Sequence, residues 1–333
     1  MSNYQRNSLN SVNIWKKMDA AELLIEADEL DLALELLNSI ANDNYPVENL
    51  NYLRAVLFSN KNDRDNTIDA AIAEIESFGE SDKIAILLEQ FDYKFFCPVC
   101  RNEVERFQPL SQEYINKLES SGFRYKLSEF ETLNFQSYTC PHCEASDRER
   151  LFSLYLNKLI ENTQIGKELA VLDFASSKSF DNYIKWNKSF KYKTVDFLLS
   201  QYDEIADITN LNYEDNSFDI TICSHILDYV AEDNKALSEL YRVTKKGGIA
   251  IIMSTICLAL REDYENHQVD TPEMRLQHFG QDNNVRLYSK NGFISKINQS
   301  GFKIKELGIN YFGKNKFQHN GINKKSILYV CVK

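Results

Sequence analysis

Asn216-Ser-Phe-Asp-Ile-Thr-Ile-Cys-Ser-His-Ile-Leu-Asp-Tyr-Val230 begins with a polar turn, continues as an apolar run over 218–223, and sets Ser224 and His225 immediately after it. A short apolar run bounded by turn residues predicts a strand buried on both faces. Downstream, Ala236-Leu237, Glu239-Leu240 and Arg242-Val243 recur at helical spacing, and Lys245-Lys-Gly-Gly248 leads to a second apolar run at 249–254. A helix and another strand are predicted there, with Gly247 and Gly248 turning the chain into that strand. Upstream, 170–174 and 192–196 read as two more buried parallel strands. Such alternation predicts a doubly wound α/β sheet, whose ligands sit in the crevice beyond the carboxyl ends of the strands. The last runs, 302–309 and 326–332, have no helix-length pattern between them and are expected to pair as an antiparallel hairpin on the sheet edge.

Several residues fall where that crevice would be. Asp173 lies near the end of the first strand, and Asp196 ends the second one 23 residues later. An acid at the second position can accept hydrogen bonds from both ribose hydroxyls of an adenosine cofactor. Ser224 and His225 emerge at the carboxyl end of the central strand, beside the same crevice. A nicotinamide enzyme would want Gly-x-Gly-x-x-Gly after its first strand, and that pattern is absent here.

Ahead of the sheet, residues 91–145 carry Cys97-Pro-Val-Cys100 and Cys140-Pro-His-Cys143, each preceded by aromatic residues. Two short strands, each ending in a metal-binding turn, are expected. Cys97, Cys100, Cys140 and Cys143 are the candidate ligands of a tetrahedral sulfur site for structural zinc, with rubredoxin-like iron as the alternative. Four protein ligands leave no open position for chemistry. Ser146-Asp-Arg-Glu149 has the form of a capping box and starts a helix with the stripe Leu151, Leu154, Tyr155 and Leu159. Cys223, Cys257 and Cys331 lie in or near apolar runs and read as core.

The chain has 333 residues, 43% of them hydrophobic, which allows two or three compact units. No apolar run is long enough to span a bilayer and the N-terminus lacks a signal-peptide layout, so a cytoplasmic location is expected. Of the net charge of -11, nearly all belongs to residues 1–90, which hold 17 acids and seven bases. Helical spacing from 11 to 77, broken at 42–46 and 60–66, predicts three or four helices there. They would form either a docking surface for a protein partner or a solvated cap. Nothing in the remaining, nearly neutral residues draws a polyanion, and there is no basic aromatic stripe, which counts against nucleic acid as a ligand.

Val171-Leu-Asp-Phe-Ala-Ser-Ser-Lys-Ser179, Asp196, Ala206-Asp207-Ile208 and the block from Asn216 to Gly248 together resemble the class I S-adenosylmethionine-dependent methyltransferases. The resemblance implies an α/β fold with a Rossmann-like seven-stranded sheet. It sets Ala175, Ser177 and Ser179 where the family has glycines, and implies cofactor contacts by Asp173, Ala175, Ser177, Asp196, Asp207, Ile208 and Ser224. The Cys140 turn with 146–151, and Thr271-Pro-Glu-Met-Arg-Leu-Gln-His-Phe-Gly-Gln281 with Val285-Arg-Leu-Tyr288, look like a bacterial subgroup with a cysteine-rich front end. In that subgroup an acid–His pair usually closes the fourth motif; Asp228-Tyr229 stands there in this chain. A glycan precursor or other small molecule is the acceptor that the subgroup implies.

The expected organisation is therefore an acidic helical domain over 1–90, a four-cysteine zinc module over 91–150 and a methyltransferase domain over 151–333. Thr271 can cap a helix with Pro272 at its first position, which sets Arg275 and His278 three residues apart on one face. Arg275, Arg286 and Tyr288 are candidates for holding the acceptor, and His278 or His225 for removing a proton from an attacking hydroxyl. Two rival readings keep the fold: an RNA methyltransferase gripping its substrate through the zinc turns, and a non-catalytic scaffold that binds a protein through the acidic helices.

Overall fold

The computed structural model describes residues 3–40, 46–79, 81–162, 168–197 and 203–333. It divides into two compact units, Met1–Lys94 and Phe95–Lys333. The pieces expected at 91–150 and 151–333 thus pack almost wholly into one unit.

Among the described residues, the first unit holds five helices: α1 (Asn3–Glu26), α2 (Leu30–Ile40), α3 (Leu50–Asn60), α4 (Arg64–Phe78) and α5 (Asp82–Gln90). Each packs on the next in sequence, around a core that includes Ile25, Leu37, Ile40, Leu53 and Leu57. Part of the expected break at 42–46 lies outside the described residues. Four of them fall where three or four were expected, and α5 follows beyond that range: Ser81 caps it, accepting from the Ile84 amide, and Ile84, Leu87 and Leu88 bury one stripe. Buried Glu74 of α4 accepts from the Asn49 and Asn51 amides at 2.6 and 3.1 Å, which satisfies orphan donors at the start of α3.

The second unit opens with β1 (Phe95–Cys97) and β2 (Asn102–Val104), paired antiparallel with Cys97 opposite Asn102. Then come α6 (Gln112–Ser121) and α7 (Asp147–Glu161). The second cysteine turn has no strand before it, only isolated bridges from Thr139 to Gln108 and Ser146. In the capping box that starts α7, Glu149 accepts from the Ser146 amide at 2.7 Å and its hydroxyl at 2.8 Å. Arg150, wholly buried in α7, donates to the carbonyls of Ser137, Tyr138, Ala145, Asn320 and Gly321. One guanidinium thereby satisfies a cysteine turn and a C-terminal turn that would otherwise bury unpaired acceptors.

The sheet elements follow in chain order: β3 (Leu169–Phe174), α8 (Lys178–Trp186), β4 (Phe190–Asp196), β5 (Glu204–Ile205), β6 (Phe218–Ser224), α9 (Asp233–Val243) and β7 (Thr244–Met253). A small β8 (Tyr264–Glu265), α10 (Pro272–Phe279), β9 (Arg286–Leu287) and α11 (Lys290–Gln299) lead to β10 (Lys303–Leu307), α12 (Ile309–Phe312), α13 (Lys314–His319) and β11 (Leu328–Val332). The seven-stranded order is β10-β11-β7-β6-β3-β4-β5; β11 runs antiparallel between β7 and β10, and the pairs from β7 through β5 are parallel. The terminal hairpin is as expected, but two short helices connect its strands, each too short to leave a periodic signal. Gly247 and Gly248 lie inside β7 rather than before it. Gly247 has φ 75°, and a Cβ on Gly248 would fall 2.8 Å from the Asp219 carbonyl, beside a register shift between β6 and β7.

Candidate active site

The carboxyl ends of β3, β4 and β6 frame the site, and the loop after β3 is its most constrained part. Ala175 takes the left-handed conformation, φ 51°, while its amide donates to the Val195 carbonyl at 2.8 Å. Such a conformation costs a non-glycine residue about 1–2 kcal/mol, so the loop keeps a glycine-like path without the glycine. Ser177 is the N-cap of α8 and accepts from the Phe180 amide at 3.2 Å. The Ser179 hydroxyl donates to the Cys143 carbonyl, tying this loop to the second cysteine turn. Asp173 is buried beneath the loop, where the Tyr192 hydroxyl donates to it at 2.8 Å.

Burial pushes the Asp173 carboxyl up to about 7, against the hydrogen bonds from Tyr192 and Ser176 that favour its charged form. Its folded value therefore lies above the unfolded one, and the carboxylate costs stability as pH rises between the two. The loss grows from about pH 4 to pH 7 and saturates near 4 kcal/mol, at about 1.4 per unit. Asp173→Asn is expected to flatten that fall. Urea unfolding of both proteins at pH 5 and pH 8 checks it: an equal pH dependence in the two would contradict the assignment.

Two cavities open at the strand ends. The smaller, about 250 Å³, is lined by Ala175, Asp196, Phe197, Asp207, Ile208 and Ile226 among others. The larger, about 450 Å³, has walls from 110–148 on one side, including Tyr114, Phe130, Tyr138 and Arg148, and His225, Asp228, Thr255 and Phe279 on the other. Tyr229 lines both. Of the expected cofactor residues, Ala175, Asp196, Asp207 and Ile208 thus come together, whereas Asp173, Ser177 and Ser224 support the walls without lining either cavity.

His225 leaves β6 in the left-handed conformation, φ 56°, with its amide donating to the Met253 carbonyl at 2.9 Å. Held strain of this kind aims the side chain. Its Nδ1 lies 3.2 Å from Thr255 Oγ1 and 3.8 Å from Asp228 Oδ2. Burial, and then the nearby Arg148 guanidinium, push the imidazole well below its usual range, so it is neutral at pH 7 and able to take a proton.

The late residues lie elsewhere. His278 is turned from the larger cavity and its Nδ1 is bonded to the Tyr264 hydroxyl, while its neighbour Phe279 lines the cavity. Arg275, on the same helix, does not line it either. Arg286 is 3% exposed and donates to the carbonyls of Leu227, Val230 and Ala231 and to Glu265 Oε1 at 2.7 Å. Tyr288, 1% exposed, donates to Asp233 at 2.7 Å. These two therefore fasten the segment that lines both cavities instead of facing an acceptor. Arg148, Asp228 and Tyr229 take the places in the larger cavity. Arg148 had a readable signal, a cation in the first turn of a helix, where the macrodipole disfavours one.

The four cysteine sulfurs lie within 4.8 Å of one another, with Cys97 and Cys143, and Cys100 and Cys140, each 3.8 Å apart. A tetrahedral site with metal–sulfur bonds of ~2.3 Å sets its sulfurs ~3.8 Å apart, so the donor set fits zinc.

The methyltransferase-domain family matches residues 175–252, from the loop after β3 through nearly all of β7. This segment thus matches a methyltransferase domain. It is similar to a demethylmenaquinone methyltransferase of Paenarthrobacter aurescens, 52% identical over 47 residues, covering 14% of this chain and 19% of that protein. A malonyl-[acyl-carrier protein] O-methyltransferase of Buchnera aphidicola is 26% identical over 163 residues, covering 46% of this chain and 61% of that one. The matches thus span less than two thirds of either relative. Among solved structures, an S-adenosylmethionine-dependent methyltransferase from Mesorhizobium loti aligns with TM-score 0.34 and 13% identity, over 54% of this chain and 96% of that one. The matched segment holds His225 and every lining residue of the smaller cavity but Phe174, whereas Arg148 and the cysteine site precede it. No helix among the described residues is long and apolar enough to cross a membrane.

Proposed function

We propose that the protein is an S-adenosylmethionine-dependent methyltransferase that methylates an oxygen of a small molecule such as a glycan precursor. One observation carries this reading: two cavities meet at Tyr229, one beside Asp196 and Asp207 and the other holding His225. S-adenosylmethionine supplies an already activated methyl group, so alignment of the acceptor is the main task of the chain. Asp196 accepts from the ribose hydroxyls, Asp207 accepts from the adenine amino group, and Ile208 packs on the ring. His225 takes the proton of the attacking hydroxyl on Nε2, with Nδ1 held at Thr255. The left-handed Ala175 supports a working cofactor loop over the scaffold alternative.

The cysteine cluster holds a structural zinc ion, whose contribution is to fix the 97–143 turns and, through Ser179, the cofactor loop. Reduced cysteines and a cytoplasmic setting agree with it. The test is incubation with methyl-labelled S-adenosylmethionine and a size-fractionated cell extract. Label is expected in the small-molecule fraction; label confined to RNA or protein would overturn the assigned acceptor class.

A further inference from the structure

The larger cavity contains charged and polar groups that the fold leaves unanswered. Arg148 lines it, half-buried; its side-chain hydrogen bond is to Tyr138, and Glu149 and Asp147 attract its charge without a direct ion pair among the described residues. Two neighbouring arginines are committed, Arg150 to five backbone carbonyls and Arg286 to three carbonyls and Glu265, and Arg275 does not line the cavity. Across the cavity, Asp228 is 1% exposed, and its Oδ1 accepts from the Thr255 amide at 2.9 Å. Its Oδ2, 3.8 Å from His225 Nδ1, and the buried Ser254 hydroxyl on the same wall act on each other but make no hydrogen bond of full geometry. Buried polar atoms are fully paired as a rule, so weakly paired ones lining a cavity point to a ligand that completes their bonding. A volume of about 450 Å³ suits a small molecule.

We infer that Arg148 binds an oxyanion, a carboxylate or a phosphate, of the methyl acceptor in this cavity, so that the acceptor is a small acid. The guanidinium fork matches either group bidentately, and the half-buried setting strengthens the bond over one in open water. A hydroxyl or amine elsewhere on the same molecule would find Asp228 Oδ2 and Ser254 Oγ. The inference rests on the methyltransferase reading for the word acceptor, but the anion site does not depend on it.

The test titrates the full-length protein, with and without S-adenosylhomocysteine, against inorganic phosphate and against acetate at low ionic strength. At least one anion is expected to bind in the millimolar range, and which one binds better tells phosphate from carboxylate. Arg148→Met should weaken it at least tenfold, Arg148→Lys should recover only part of that loss because it keeps the charge without the fork, and S-adenosylhomocysteine affinity should stay within about threefold in both. Thermal unfolding verifies that each variant is folded, with Arg148→Gln as the substitute for a Met variant that is not. Equal anion affinity in wild type and Arg148→Met, or no anion binding to wild type, would overturn the inference. So would a tenfold loss of S-adenosylhomocysteine affinity in Arg148→Met with anion binding intact, since Arg148 would then serve the cofactor. Failure of the wild type to bind S-adenosylhomocysteine at all defeats the methyltransferase reading instead, and the anion titration still decides the role of Arg148.

Discussion

Cys97→Ser or Cys140→Ser is expected to unfold the cysteine turns and to leave protein with less than half an equivalent of zinc, where the wild type carries one per chain. Closed sulfur sites couple metal binding to folding, at about 10–16 kcal/mol at neutral pH. A whole domain is stable by only about 5–15 kcal/mol, so the site can decide whether this part of the chain folds. Cys97 and Cys140 are the two buried members of the cluster, and Arg150 binds the carbonyls of Ser137, Tyr138 and Ala145 around the second turn. Disorder starting there should reach the C-terminal turn at Asn320 and Gly321 through the same guanidinium, and the cofactor loop through Ser179. Elemental analysis and thermal unfolding check this. A serine variant with wild-type zinc content and an unchanged melting curve would contradict the metal assignment.

His225→Ala is expected to lower turnover at saturating cofactor by about 100-fold or more, the usual worth of a positioned proton acceptor. Because burial and Arg148 hold the imidazole below its usual range, the acidic limb of the wild-type profile should lie below pH 6.5. Turnover should fall as pH drops through that limb, where the base is lost to protonation, and the limb should vanish in His225→Ala. S-adenosylhomocysteine affinity should change little, since His225 lines the larger cavity only. Turnover within threefold of wild type with the limb intact would remove His225 from the reaction.

Much of the sheet is legible because its central strands are largely buried: 170–174, 192–196, 218–223 and 249–253 fall within four of its seven strands. The cysteine cluster is legible from spacing alone, since two Cys-x-x-Cys turns need only be brought together. The acceptor side is not, and Arg286 shows why. Three of its partners are backbone carbonyls more than fifty residues away, and carbonyls carry no residue identity for a sequence to display. An arginine meant for a ligand and one meant for a turn therefore look alike. His278 and Phe279 differ by one helical step, which decides which of them meets the cavity, and no periodicity argument resolves a helix of eight residues that finely.

Direct titration with S-adenosylmethionine and S-adenosylhomocysteine, on wild type and Asp196→Ala, tests the central claim. One site per chain is expected, with affinity tighter than millimolar for the wild type and a loss of about tenfold or more in the variant. That loss corresponds to the roughly 1.5–3 kcal/mol carried by hydrogen bonds to a charged group. No binding by the wild type at millimolar cofactor, or equal affinity in the two proteins, would contradict it.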